Sequence, residues 1–258
     1  MEFATITVEY QDQIGTLTLN RPDKMNTFSS QLAGELNDGL RLLDQNDQVR
    51  VIIVKGAGRA FSTGIDIAEF PGKSTSEYQA WISRMDEMHL TIAAMAKPVI
   101  AMVHGFAVAN GAGLLFAADF ALVAEGTKIG TTAIKVGLLC TGPIIPISYN
   151  LGKKKVLEML LSGDMIDAAE AESLGLVNRV VPLENLEAET LAFAQKLIHQ
   201  SPLAVKLGKQ FYYQMLDMPF SQRFTYSSEV FARLCTSEDA KEGVGAFLDK
   251  RRAVWQGK

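Results

Sequence analysis

Residues 98–120 read PVIAMVHGFAVANGAGLLFAADF, and this stretch decides the fold. Pro98 ends any helix before it, because it lacks an N–H and its ring clashes with the preceding turn. Pro98 to Val103 is an unbroken apolar run, which suits a strand buried on both faces. Gly105 to Gly113 reads as a glycine-rich turn, Leu114 to Ala118 as an apolar helix and Phe120 to Ala124 as the next strand. Strand, turn, helix and strand in that order imply a parallel α/β arrangement, with functional loops at the carboxyl ends of the strands.

Working outward toward the amino end, Glu77 to Met95 reads as a long helix, and Val51 to Val54 as a second buried strand. A Gly56-Ala57-Gly58 turn follows that strand, and then RAFSTGIDI at residues 59–67. Ser29 to Leu43 has apolar spacing of about 3.6, a helix capped by Ser29 or Ser30. Thr5 to Tyr10 and Gly15 to Leu19 alternate as a hairpin around Gln11-Asp12-Gln13, and Asn20-Arg21-Pro22-Asp23 breaks the pattern. Toward the carboxyl end the pattern after Asp167 is almost wholly helical: Ala168 to Leu174, a strand over Gly175 to Val181, then Leu183 to Gln200, Pro202 to Leu216 and Ser221 onward. The expected division is a core over residues 1–195 and a helical region over 196–258 that packs on the core or on a neighbouring subunit.

A chain of 258 residues can bury a sizeable core. With 29 acidic against 25 basic residues and a formal charge of -4, it carries no electrostatic footprint for nucleic acid. Cys140 and Cys235 lie far apart and match no metal-ligand spacing, which fits a reducing cytoplasm and no metal. The opening residues lack the basic and apolar regions of a signal peptide, and no stretch supplies the roughly 20 apolar residues of a membrane span. A cytoplasmic chain with no membrane partner is expected.

Two segments carry chemistry: residues 59–67 and HGFAVANGAGL at 104–114. Each follows a buried strand and leaves free backbone N–H groups at a helix start, donors that can hold a developing oxyanion without any special side chain. Residues 98–120 resemble the signature of the enoyl-CoA hydratase/isomerase (crotonase) family, and FSTGIDIAEF at 61–70 resembles its first oxyanion loop. NRPDKMN at 20–26, LGKKKVLEMLLSGDMIDAAEAESLGLVNRVV at 151–181 and EGVGAFLDKRRAVW at 242–255 extend the likeness over nearly the whole chain.

The resemblance implies a crotonase-like spiral of β-β-α units with a C-terminal helical trimerisation region, assembled as a homotrimer or a dimer of trimers. It implies an unsaturated acyl-CoA substrate, with coenzyme A entering as part of the substrate and no tightly bound cofactor. The oxyanion donors would be the N–H groups of Ile65 and Asn110. Coenzyme A would lie on Arg21, Lys24 and Met25, on the loop through Ala60, Phe61, Thr63, Gly64, Asp66 and Ile67, and on Gly111. Phe247 and Lys250 would reach the nucleotide of a neighbouring subunit.

The sequence departs from the family where protons move. The hydratases' two glutamates correspond to Gly113 and Ala133, and an aspartate used by other members corresponds to Thr141. Neither glycine nor alanine can transfer a proton. Cys140, Thr141 and Asp66 are left as the candidate acid/base region, with Glu69 expected on a solvated helix face, His104 and Asp119 structural, the latter as a satisfied buried hydrogen-bond partner, and Tyr149 a weaker candidate. GAGRAF at 56–61 is a weak dinucleotide fingerprint, and no G-x-S-x-G elbow is present. The expected activity is of the hydratase/isomerase type; isomerisation, decarboxylation, thioester hydrolysis and a vestigial acyl-CoA binder without turnover remain open.

Overall fold

The computed structural model describes residues 2–258. Its first elements are an antiparallel hairpin, β1 (Ile6–Gln11) and β2 (Ile14–Leu19). Asp12 and Gln13 both have positive φ, 50° and 68°, the pair of left-handed residues that a two-residue type I′ turn requires. The loop is thereby one residue tighter than the sequence reading. β2 pairs in parallel with β3 (Val51–Gly56), and β4 (Val99–Val103), β6 (Phe120–Ala124) and β9 (Arg179–Val181) continue a six-stranded sheet in the order β1-β2-β3-β4-β6-β9.

Alternation along the strands sends side chains to two cores. Ile52, Val54, Ala101 and Val103 face α1 (Ser30–Gln45), α2 (Thr75–Ala94) and α3 (Asn110–Ala117), while Val51, Ile53, Ile100 and Met102 face α7 (Leu186–Ile198). Covered on both faces, β4 is buried throughout, which is why its sequence shows no polar alternation.

A second layer holds three short strands, β5 (Phe106–Val108), β7 (Lys128–Gly130) and β8 (Met165–Asp167). Single bridges from Ser62 to Ala107 and from Phe28 to Ile65 extend it. The chain therefore passes from a large-sheet strand, through a short piece of the second layer, into a helix, and repeats. At the corner between β4 and β5, Gly105 has φ of 66°, and a Cβ there would lie 2.2 Å from the Arg59 carbonyl oxygen. Only glycine turns that corner.

Several boundaries differ from the sequence reading for identifiable reasons. The expected turn at 105–113 instead holds β5 and the start of α3. Gly111 and Gly113 lie inside that helix for clearance, since a Cβ on Gly111 would stand 2.3 Å from the Ser62 carbonyl oxygen. α2 starts before Glu77 because Ser74 and Glu77 form a reciprocal capping box. Ser29, not Ser30, caps α1, accepting from Leu32 N at 3.1 Å. The strand expected from Gly175 begins only at Arg179, because Leu174, Gly175 and Leu176 donate back to the carbonyls of α6 (Ala168–Ser173).

α4 (Thr141–Ile147) and α5 (Lys153–Ser162) lead into β8, and the expected division at residue 195 falls within α7. α8 (Pro202–Leu216) has the expected bounds, whereas the segment after it is two helices, α9 (Phe220–Cys235) and α10 (Glu238–Leu248), the second capped by Ser237. α8 is tied to the core through Asp119, which accepts from Val99 N at 2.7 Å, Lys209 Nζ at 2.6 Å and Tyr213 Oη at 3.0 Å. Asp119 is the satisfied buried carboxylate that the sequence suggested. No helix among the described residues is long and apolar enough to cross a membrane, and no cluster of His, Cys, Asp or Glu among them could hold a metal ion.

Candidate active site

The two segments singled out by sequence run side by side. Ser62 N donates to Phe106 O at 3.0 Å and Val108 N to Ser62 O at 2.9 Å, which sets Ser62 opposite Ala107. Three residues beyond this pair, along the two segments, stand Ile65 and Asn110. On the outer side, Phe28 N donates to Gly64 O at 2.7 Å and Asp66 N to Phe28 O at 2.9 Å. In a parallel pairing Phe28 bonds to the residues flanking Ile65, so the N–H of Ile65 points the other way. Asn110 is the first residue of α3 and has no intrahelical acceptor. Neither N–H donates to a backbone carbonyl among the described residues.

The two donors are also pressed together. Gly64 has φ of 97°, and a Cβ there would lie 2.8 Å from the Ala109 methyl, so the loops touch. Ala109 has φ of 50° and ψ of -117°, a conformation costing a non-glycine residue about 1–3 kcal/mol. Its N–H is fixed to Gly130 O at 2.8 Å, and the strained turn swings the next N–H, that of Asn110, clear of β5.

Beside this pair lies the loop expected to hold coenzyme A. Asn26, fully buried, joins it to the 59–67 segment: its Nδ2 donates to Ala57 O and Ala60 O, each at 2.8 Å, and its carbonyl accepts from Ser62 Oγ at 2.8 Å. Thr63 N donates to Met25 O at 3.2 Å. Arg21 Nη2 meets Asp66 Oδ2 at 2.8 Å, and that hydrogen bond holds the Asp66 carboxyl below the usual carboxylate range. Arg21, Met25, Thr63, Asp66 and the exposed Lys24 and Ile67 are thus brought to one surface, while Gly64 between them is buried. Ala60 and Phe61 are fully buried, and Phe61 packs into the core, so its side chain is not part of that surface. Phe247 is 82% exposed and Lys250 follows it on an exposed turn, on a helix that packs against α9.

The expected acid/base region looks different in space. Asp66 is engaged by Arg21 and also caps a short 3₁₀ turn by accepting from Ala68 N. Thr141 is exposed at the start of α4; Cys140 is buried, and burial pushes its thiol above the ordinary range, away from the reactive thiolate. Glu69, expected on a solvated face, accepts from the N–H and hydroxyl of Ser30 at 2.9 and 2.7 Å and so holds the start of α1. His104 Nε2 bonds the Gly58 carbonyl at 2.8 Å, and Tyr149 is mostly exposed.

Two titratable residues that the sequence reading passed over face the site from α2. Asp86 Oδ1 accepts from Asn110 Nδ2 at 3.3 Å, and burial lifts its carboxyl to about 6, with that amide bond offsetting part of the rise. His89, one turn further on, has both ring nitrogens buried without a partner among the described residues, and burial lowers its pKa to about 4. Its imidazole is neutral at pH 7. Both line a cavity of about 940 Å³ between α2, α3, α4 and α8, whose walls include Leu90, Ile145, Tyr149 and Tyr213. The available signal was their spacing: each follows a fully buried methionine, Met85 and Met88, so both border the helix's apolar stripe.

Two backbone N–H groups without backbone acceptors, carried on the second layer of a two-layer spiral, are a donor pair of the kind that can polarise a carbonyl. The chain belongs to the enoyl-CoA hydratase/isomerase family: the family profile described as "Enoyl-CoA hydratase/isomerase" matches residues 9–258. It is 34% identical to a probable enoyl-CoA hydratase of Rhizobium meliloti (strain 1021), over 99% of both chains. It is 32% identical to the rat mitochondrial enoyl-CoA hydratase domain-containing protein 3, covering 95% of this chain and 82% of that one. Among solved structures, an enoyl-CoA hydratase subunit of Geobacillus kaustophilus HTA426 superposes over 100% of both chains, with a TM-score of 0.94 and 34% identity.

Proposed function

We propose that this protein is an acyl-CoA enzyme that seats the thioester carbonyl oxygen between the N–H groups of Ile65 and Asn110 and stabilises the enolate formed there. The observation that supports this reading is the Ser62–Ala107 bridge, from which Ile65 and Asn110 each stand three residues on, with neither N–H given a backbone acceptor among the described residues. Charge developing on oxygen is met by donors already fixed in place, so no reorganisation is needed at the moment of reaction. Coenzyme A enters with the substrate, its phosphates facing Arg21 and Lys24, while Ile67 offers an exposed apolar contact at 76% exposure. Phe220, Phe224 and Phe231 leave a strongly exposed apolar row on α9, which suits burial against further copies of the chain as a trimer or dimer of trimers.

The test is turnover. Pure protein is offered straight, branched, cyclic and conjugated enoyl-CoAs in heavy-oxygen water, with products read by mass spectrometry and binding by calorimetry. Replacing Asn110 with proline removes one donor at a helix position that tolerates proline, and is expected to lower turnover about 10²–10³-fold with the fold intact. Unchanged turnover in a folded Asn110→Pro variant would refute the oxyanion reading. The second reading, a binder without turnover, is favoured by Gly113 and Ala133 at the family's glutamate positions; tight binding with no chemistry on any substrate would select it.

A further inference from the structure

Resting on the enolate reading above, we propose that the proton-transfer groups of this enzyme lie on α2, as Asp86 with His89 one turn beyond it, in space that Gly142 and Gly113 leave open. A Cβ on Gly142 would stand 2.2 to 2.3 Å from both carboxylate oxygens of Asp86. A Cβ on Gly113 would stand 3.3 Å from both Cε1 and Nε2 of His89, and 3.1 Å from Pro143. A glutamate at 113 would have to grow past an imidazole that already occupies that space. The glycine that removes a side chain from α3 therefore makes room for one supplied by α2.

The placement suits proton transfer. Asp86 touches the side chain of Asn110, the residue whose main-chain N–H is one oxyanion donor, and on its other side it lines the cavity. An acyl group with its carbonyl on Ile65 and Asn110 brings its next carbons toward this carboxyl. His89 presents two buried ring nitrogens with no protein partner among the described residues, an arrangement that calls for a ligand or a water on the imidazole. The other titratable groups around Asp86 are the Cys140 thiol before α4 and, on the cavity wall, the Lys209–Asp119 pair between α8 and the end of α3 together with Tyr149, Tyr212, Tyr213 and Asp217; Glu87 is paired with Arg41 instead. Asp86 is the carboxyl among them that burial lifts to about 6 while leaving it a single amide partner.

In the step itself, the Asp86 carboxylate takes a proton from the carbon next to the thioester carbonyl. The C–H electron pair becomes the enolate double bond, and the negative charge moves to the oxygen held by Ile65 and Asn110. The resulting carboxylic acid returns a proton to the same carbon, which exchanges hydrogen with solvent, or to the far end of a conjugated double bond, which moves that bond. Nothing is consumed.

Hydrogen exchange reads this directly. Butanoyl-CoA is incubated with the protein in deuterated water, deuterium uptake is followed by mass spectrometry, and binding is measured in parallel. Asp86→Asn is expected to bind butanoyl-CoA within a few fold of wild type and to exchange about 10²-fold or more slowly. Wild-type exchange is expected to rise with pH through about 6, and the variant to lose that step; a merely structural role for Asp86 would lower the rate and keep the step. His89→Gln is expected to move the step, and Gly142→Ala, which displaces the carboxyl without removing it, to slow exchange. An Asp86→Asn variant with wild-type rate and pH profile, or a wild-type protein that binds butanoyl-CoA and exchanges nothing, would overturn the proposal. If Ile65→Pro left exchange intact while Asp86→Asn abolished it, the oxyanion reading would fall and the assignment of Asp86 would stand. A protein that does not bind butanoyl-CoA sinks both.

Discussion

Gly111 sets how closely α3 can approach the 59–67 loop. With a methyl group there facing the Ser62 carbonyl at 2.3 Å, helix and loop must separate. Gly111→Ala is expected to cost about 1–3 kcal/mol of stability and to depress acyl-CoA turnover by parting the two donors; a thermal melt and a turnover assay on the same preparation check it. At this scale the site was half legible. Candidate backbone donors could be placed at Ile65 and Asn110 through the family resemblance, whose motifs include the glycines and turns around them. Asp86 and His89 could not, because their roles depend on which side of α2 meets α3 across a gap, and linear spacing says nothing about that meeting.

α8 shows what an element owes to a single buried pair. Lys209 and Asp119 meet at 2.6 Å with side chains only 6% and 10% exposed, and Lys209 also donates to Lys97 O at 3.0 Å. Lys209→Met leaves Asp119 buried beside Tyr213 and the Val99 N–H without its counter-ion, and is expected to cost about 3–5 kcal/mol in urea unfolding. Pairing it with Asp119→Asn is expected to recover a good part of that loss, since the uncompensated charge is then gone. Long elements such as β4 and α8 were plain in the sequence, because a full apolar run or several helical turns repeat the signal. β5, β7 and β8 were not: each is 3 residues long, too short for alternation to show.

The whole molecule is closed by its carboxyl end. Asp239 accepts from Ser201 Oγ at 2.6 Å and from the N–H groups of Gln256 and Gly257 at 2.7 and 3.0 Å, tying the last residues to the start of α8. Burial raises the Asp239 carboxyl, and these hydrogen bonds outweigh it, leaving the group below the ordinary range. A depressed folded pKa adds stability that is complete above the unfolded value of about 3.9 and is lost as pH falls through the folded value. The clasp is expected to open below about pH 4. Trp255, whose indole N–H donates to His199 O at 2.7 Å, reports the opening by fluorescence, and Asp239→Asn should already show the open signal at neutral pH.

The bridge from Ser62 to Ala107 has one more consequence, for how this chain tolerates change. Each donor is found by counting along the backbone from that bridge, and the side chain at Ile65 has no part in the count. A library covering residues 62–65 and 107–110 should therefore accept many substitutions at Ile65 yet reject almost every single-residue insertion or deletion, because a shifted reading frame of N–H groups faces the wrong way. The chemistry of this site is spelled in lengths rather than in letters.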